Sequence, residues 1–257
     1  MQTGYDIIAP SFDFYRALPS GVPDAIRNAI LKLSNTPAPR LLDLGAGSGR
    51  IGFAFVAAGD DYVGLDLSAG MLREFAGQFS AARLVQADGE QLPFCDAAFD
   101  AVLLVQVFGG LRRWRKLIGE ARRVLRLDGM LILGRTRMPP DGVDARMKDR
   151  LAAILSALGV DSQRKNARDD IEGSLTLAAR GHETVTAATW TATRTARRFI
   201  ERHASGARFS QLKLTVREGA MRELSTWAAA TFGSLDRAFF EPHSFELQVF
   251  RSENGNH

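Results

Sequence analysis

From residue 40 onward, apolar runs alternate with stripes at helical spacing. RLLDL (40–44) and YVGLDL (62–67) are short apolar runs that predict strands, and RIGFAFVAAG (50–59) between them predicts a helix stopped by Gly59. SAGMLREFAGQF (68–79) predicts a second helix with Ser68 as its N-cap. ARLVQAD (82–88) predicts a third strand. FDAVLLVQV (99–107) predicts a fourth, apolar almost throughout, as a strand buried on both faces of a parallel sheet must be. WRKLIGEARRVL (114–125) places Leu117, Ile118, Ala121, Val124 and Leu125 on one helical face, and MLILGRT (130–136) predicts a fifth strand. Repeated strand–helix units predict a doubly wound, mostly parallel α/β sheet.

The flanks read differently. Residues 1–39 form a leader broken by prolines, with one amphipathic stretch, DAIRNAILKL, at 24–33. After 136 the rhythm changes. Residues 144–158 predict a helix, while 161–181 are polar and carry no assignable period. Alternation returns in ETVTAATWTAT (183–193), then a helix is predicted in REGAMRELSTWAAATFG (217–233). In HSFELQVFR, Phe245, Leu247 and Val249 alternate with Glu246 and Gln248, which predicts a closing strand over 244–251. The division expected is a leader at 1–39 over the ligand site and a core at 40–136. A helical lid at 137–243 follows, holding one core strand near 183–193, and the last strand is at 244–251.

Composition narrows the class. Lys and Arg number 33 against 29 Asp and Glu, a net charge of +4 that leaves nucleic acid disfavoured as a partner. The lone Cys95 cannot form an intrachain disulfide, which fits a reducing compartment. With no basic and apolar leader and no run long enough for a bilayer, a cytoplasmic protein with no membrane partner is expected. No Cys/His cluster suggests a metal.

The chemistry concentrates in LLDLGAGSGR (41–50). Gly45, Gly47 and Gly49 follow an apolar strand and precede a helix, so backbone N–H groups can face a ligand that approaches closely. Gly47, Gly49 and Gly52 also fit G-x-G-x-x-G, the dinucleotide fingerprint. Two features oppose that reading. Asp43 would repel a pyrophosphate, and Asp66 follows Gly52 by only 14 residues. S-adenosylmethionine carries a sulfonium and an ammonium instead of phosphates, and a carboxylate favours both. Asp66 can then accept from two ribose hydroxyls. Asp88 can accept from the adenine amine. Three acids at the ends of three successive strands converge on one crevice.

LLDLGAGSGRIGFAFVAAG, YVGLDLSAGML, LVQADGEQLPF, FDAVLLVQVFGGL and RRVLRLDGMLIL together resemble the successive motifs of class I S-adenosylmethionine-dependent methyltransferases, in particular the ubiquinone/menaquinone small-molecule group. The leader YDIIAPSFD is similar to that group's Y-D-x-x-A-x-x-Y-D, with Phe12 in the second aromatic place. The resemblance implies a seven-stranded sheet with an antiparallel last strand, and transfer of a methyl group to a small molecule. It implies that Gly45, Ala46, Gly47 and Gly49 face the methionine moiety, that Arg50 pairs with its carboxylate, and that Asp66 holds the ribose. Leu67 and Met71 would flank the adenine, although Met71 fits plain helix core equally well. Ala87, Asp88 and Gly89 would lie by the adenine amine, and Gln106 and Val107 beside the sulfonium.

The acceptor side is less determined. Phe108 and two glycines follow the fourth strand, which suits an apolar, roomy pocket. Tyr15, His203 and His243 are the candidates for a proton-handling group, and Tyr5 is a candidate to close over the cofactor. Eight cations lie in 194–222 (Arg194, Arg197, Arg198, Arg202, Arg208, Lys213, Arg217 and Arg222), either a solvated face or a lid for an acidic acceptor. A second reading keeps the fold and the cofactor but makes the protein a regulatory binder without transfer.

Overall fold

The computed structural model describes residues 5–6, 9, 17–105, 107, 113–160, 167–178, 181–204, 206, 209 and 212–251. The chain forms two compact units. The first comprises Met1–Thr136, Asn166–Ala188 and Phe245–His257, and the second Arg137–Lys165 and Thr189–Ser244.

The strands are β1 (Leu41–Leu44), β2 (Tyr62–Asp66), β3 (Arg83–Gln86), β4 (Phe99–Val105), β5 (Leu125–Arg137), β6 (His182–Arg194) and β7 (Phe239–Arg251). They form one seven-stranded sheet in the order β3-β2-β1-β4-β5-β7-β6. The pairs β1–β2, β1–β4, β2–β3 and β4–β5 are parallel. Chain order reverses at β1 and β4, the switch point where a parallel sheet opens its ligand crevice.

The helices of the first unit are α1 (Val22–Leu33), α2 (Gly52–Ala58), α3 (Ala69–Gln78), α4 (Trp114–Val124) and, late in the chain, α6 (Ala167–Ala178). The second unit holds α5 (Val143–Ala157), α7 (Ala196–Ala204) and α8 (Leu214–Phe232). In α4 the apolar stripe reads Trp114, Leu117, Ile118, Ala121 and Val124, and all five side chains are buried. They pack on Leu42 and Leu44 of β1 and on Val102 and Leu104 of β4, the core of the first unit. Burying a Leu or Ile side chain of this kind stabilises by about 1.5–3 kcal/mol, which makes the stripe decisive for where α4 docks. The second unit has its own core, in which Met147, Leu151 and Ile154 of α5 meet Phe199 of α7 and Leu224, Ala228 and Phe232 of α8.

The observed division differs from the one read off the sequence. Residues 167–178, expected in the lid, form α6 of the first unit. Its Ile171 and Leu175, one turn apart, are fully buried in the first core. Strands β6 and β7 each run through a unit boundary, so the division falls inside them at 188/189 and 244/245. No helix among the described residues is long and apolar enough to cross a membrane.

Candidate cofactor site

β1 is buried along its whole length, and Asp43 with it, at 3% exposure. Its neighbour across the β1–β2 ladder is Gly64. Tyr62, at the start of β2, donates its hydroxyl to Asp43 Oδ2 at 2.8 Å. The tyrosine is held by a stack on Phe55 (ring centroids 5.5 Å apart) and an edge contact with Phe75 at 6.2 Å. Burial pushes the Asp43 carboxyl up to about 7, against the opposing effect of the tyrosine hydrogen bond. Asp43 Oδ1 is buried and has no hydrogen-bond partner among the described residues. The carboxylate expected at the mouth of the turn thus lies beneath it, half of its polar capacity used by Tyr62 and half unmatched. An unmatched buried carboxylate oxygen is costly, and it suits a cationic hydrogen-bond donor.

The turn after β1 is built from glycines in left-handed conformations: Gly45 at φ 91°, Gly47 at 58° and Gly49 at 86°. The N–H groups of Gly45 and Ala46 donate to Leu65 O, at 2.7 and 3.0 Å, and tie the turn to β2. A Cβ on Gly45 would lie 2.6 Å from Val107, one on Gly49 2.4 Å from Phe75, and one on Gly52 2.2 Å from the Tyr62 hydroxyl. Among the described residues a Cβ on Gly47 would meet nothing within 4 Å. Gly49 and Gly52 are therefore glycines for protein packing, whereas Gly47 borders open space. That removes the dinucleotide fingerprint as an explanation of Gly52: its small size makes room for Tyr62.

Asp66 ends β2. Its Oδ2 accepts from Gly47 N–H at 2.9 Å and its Oδ1 from Ser68 N–H at 2.8 Å, so one carboxylate joins the turn to the start of α3. Burial raises its pKa, while the bonds from the backbone of Ser68 and Gly47 oppose the rise. Ser68 caps α3, accepting from Met71 N–H at 3.2 Å. A leader residue joins the same cap. Asp6 Oδ1 accepts from the Ser68 hydroxyl at 2.7 Å and from Gly70 N–H at 2.8 Å, and its charge adds to the rise at Asp66.

Leu67 is 47% exposed beside Asp66, a large apolar face at the surface. Met71 is 2% exposed, so it belongs to the helix core and offers almost no face to an adenine. Asp88 lies two residues beyond β3, exposed, with Oδ1 accepting from Glu90 N–H at 2.9 Å. Ala87 packs half-buried on the first core, and the Cα of Gly89 faces Leu117. Arg50 is half-buried at the end of the turn. Tyr15, Gln106, Phe108, Phe12 and Arg208 lie outside the described residues. Tyr5 is 46% exposed.

The two histidines belong to the second unit. His203 stacks on Phe199 with ring centroids 3.8 Å apart, and its Nδ1 donates to Phe199 O at 2.9 Å. Both contacts lie within α7 and give the ring a structural role. His243 is 3% exposed, and burial together with Arg194 lowers its pKa.

Two residues escaped the sequence reading. Tyr62 is a polar aromatic opening β2 opposite Leu41, on the same register column two residues before the Gly64 that faces Asp43. Asp6 stood within the leader motif, but nothing local marked it as a cap for a helix more than sixty positions away.

For S-adenosylmethionine the donor set fits: a buried, unmatched Asp43 oxygen for a cation, open space at Gly47, a carboxylate at Asp66 and an apolar face at Leu67. Comparison with known proteins agrees. Residues 42–133 match the methyltransferase domain family. Demethylmenaquinone methyltransferase of Thermus thermophilus is 34% identical over 143 residues, 52% of this chain and 65% of that protein. Malonyl-[acyl-carrier protein] O-methyltransferase of Geobacter sulfurreducens is 31% identical over 182 residues, 66% of each chain. A Bacillus halodurans structure assigned as a methyltransferase superposes with a TM-score of 0.58 at 20% identity, covering 91% of this chain and 100% of its own. The matched regions span 42–65% of the length of the demethylmenaquinone methyltransferases. The seven-stranded sheet, the glycine turn and these matches identify residues 42–133 as a methyltransferase domain.

Proposed function

We propose that the protein transfers a methyl group from S-adenosylmethionine to a small organic acceptor by in-line displacement. The observation that carries this reading is the Asp66 carboxylate, which holds Gly47 and Ser68 together beside the exposed face of Leu67. After serving the backbone, the Asp66 carboxylate keeps lone-pair capacity for a ribose hydroxyl. Bound there, the cofactor supplies an activated methyl on a positive sulfur. The chain's part is to bind and orient. Asp43 offers its unmatched oxygen to the ammonium, Gly47 leaves room for the methionine end, and Leu67 covers one face of the adenine. Asp6 ties the leader to the same helix cap that Asp66 uses, which supports the leader as a cover for this site. Catalysis then rests mainly on proximity and alignment.

Relatives whose names record a quinone and a carrier-bound acid as acceptors support an organic acceptor for this chain. An acidic acceptor draws limited support from the cations of 194–222. Arg197 is bound to Asp236 through two hydrogen bonds, and Arg202 to Asp144 at 2.8 Å.

The test is to incubate the protein with methyl-labelled S-adenosylmethionine and a small-molecule extract of its host cells. Label is expected in an extractable product, and Asp66→Ala should reduce it at limiting cofactor concentration. Tight cofactor binding with no labelled product would favour the regulatory binder instead.

A further inference from the structure

Asp6 belongs to the leader, yet its carboxylate reaches the residue that orients Asp66. Ser68 is the junction. Its N–H donates to Asp66 Oδ1 at 2.8 Å, and its hydroxyl donates to Asp6 Oδ1 at 2.7 Å. The same hydroxyl oxygen accepts from Met71 N–H at 3.2 Å. Ser68 is 1% exposed, so these contacts are shielded from water. Asp66 Oδ2 in turn takes the Gly47 N–H at 2.9 Å. One chain of hydrogen bonds therefore runs from Asp6 through Ser68 and Asp66 to the backbone of the glycine turn.

The first turn of α3 is shared between two residues. Ser68, its own N-cap, takes the Met71 amide, and Asp6 Oδ1 takes the Gly70 amide at 2.8 Å. One carboxylate oxygen thus receives two donors at the positive end of a helix, where an anion is favoured. Gly70 makes the seat. A Cβ there would stand 3.0 Å from both Cα and Oδ1 of Asp6 and 3.3 Å from its carbonyl oxygen. Alanine is the better helix former, so the glycine serves the leader backbone and not the helix. Ala9, three residues on, is 4% exposed, so the leader is packed beyond this contact as well.

We infer that Asp6 is a positioning residue for the cofactor: by holding Ser68 it fixes the Asp66 carboxylate for the ribose, so that seating of the leader and binding of S-adenosylmethionine strengthen each other. The inference rests on the cofactor site proposed above. Its physical basis is preorganisation. Without Asp6, the Ser68 hydroxyl and the Gly70 N–H both lose this acceptor, and two of the three bonds at the cap go with it. Ordering Ser68 and Asp66 is then a cost that binding has to meet.

The experiment uses the full chain, with S-adenosylmethionine affinity measured by calorimetry and urea midpoints checking that each variant folds. Asp6→Ala should weaken the cofactor about fivefold or more. Asp6→Asn, whose amide oxygen can accept from both donors, should restore most of that loss. Gly70→Ala crowds the same contact from the helix side. It should weaken the cofactor too, although alanine favours the helix, a pairing of effects that a purely structural role would not give. The Gly70 amide reads the contact directly. Its hydrogen exchange, followed by NMR, should slow on adding the cofactor by about the factor that Asp6→Ala costs, because coupling is reciprocal. Parent-like affinity in Asp6→Ala or Gly70→Ala, or an asparagine as weak as the alanine, would overturn the coupling and leave the cofactor reading intact. So would Gly70 exchange that ignores the cofactor. A parent chain that fails to bind S-adenosylmethionine while its Gly70 amide is protected would overturn the cofactor reading and the coupling together, leaving Asp6 as a helix cap.

Discussion

Asp43 and Asp66 sit on neighbouring strands, yet burial treats them differently. Asp43 is raised to about 7 from 3.8. Between those values the folded chain binds more protons at this site than the unfolded chain, so its contribution to stability falls as pH rises from about 4 to 7. A cation placed on its unmatched oxygen favours the ionised form and reverses that cost. Cofactor binding should therefore release protons near neutral pH and strengthen as pH rises through about 7. Calorimetry at pH 6.5 in two buffers of different ionisation enthalpy measures the proton release, and Asp43→Asn should abolish it. Proton uptake on binding would rule out the cation at Asp43. At Asp66 the expected effect is on affinity. Asp66→Ala removes charge-assisted bonds of about 1.5–3 kcal/mol, which corresponds to about tenfold or more in Kd. A variant that binds as tightly as the parent would remove the ribose assignment.

Two glycines of one turn make opposite predictions at the scale of the element. Gly47→Ala pays only the left-handed backbone cost, about 1–2 kcal/mol, because its Cβ would meet nothing within 4 Å. Gly49→Ala adds a collision with the Phe75 ring at 2.4 Å, worth about 1–3 kcal/mol more. Urea titrations should show the Gly49 variant clearly less stable, while the Gly47 variant folds but loses cofactor affinity. Comparable stability losses in both would show that the open space at Gly47 is filled in solution. This difference was hidden in the sequence, where the glycines look equivalent. The strands and helices of 40–136 were legible because the helices bury one periodic face while β1, β2 and β4 are buried along almost their whole length. Two departures have physical causes. β5 starts at Leu125, earlier than its apolar run at Met130, because a register shift lets Leu125 pair with Phe99. The polar RLDG between them reads as a turn, and Asp128 does take φ 63°. Helix α6 was missed because, among its described side chains, Ile171 and Leu175 bury and their polar neighbours break the stripe.

For the whole molecule, local pattern stops being informative where distant acids and bases meet. The surplus of cations in 194–222 looked like a face for an anionic partner. In the structure Arg194 and Arg202 close on Asp144 and Arg197 on Asp236, partners that spacing along the chain could not reveal. The division into units was equally unreadable, since the first unit is assembled from three separate stretches. That division permits a test of where the cofactor acts. Trp114 belongs to the first unit, and Trp190 and Trp227 to the second. A ligand at 100 times its Kd stabilises what it binds by about 2.7 kcal/mol. In a Trp190→Phe/Trp227→Phe variant, fluorescence reports Trp114 alone, and its unfolding midpoint in urea should rise when S-adenosylmethionine is added. NAD at the same concentration should leave it unchanged, since Asp43 opposes a pyrophosphate at the turn. A rise seen only through Trp190 and Trp227, in the Trp114→Phe variant, would move the cofactor to the second unit. A rise with NAD and none with S-adenosylmethionine would return the turn to the dinucleotide reading.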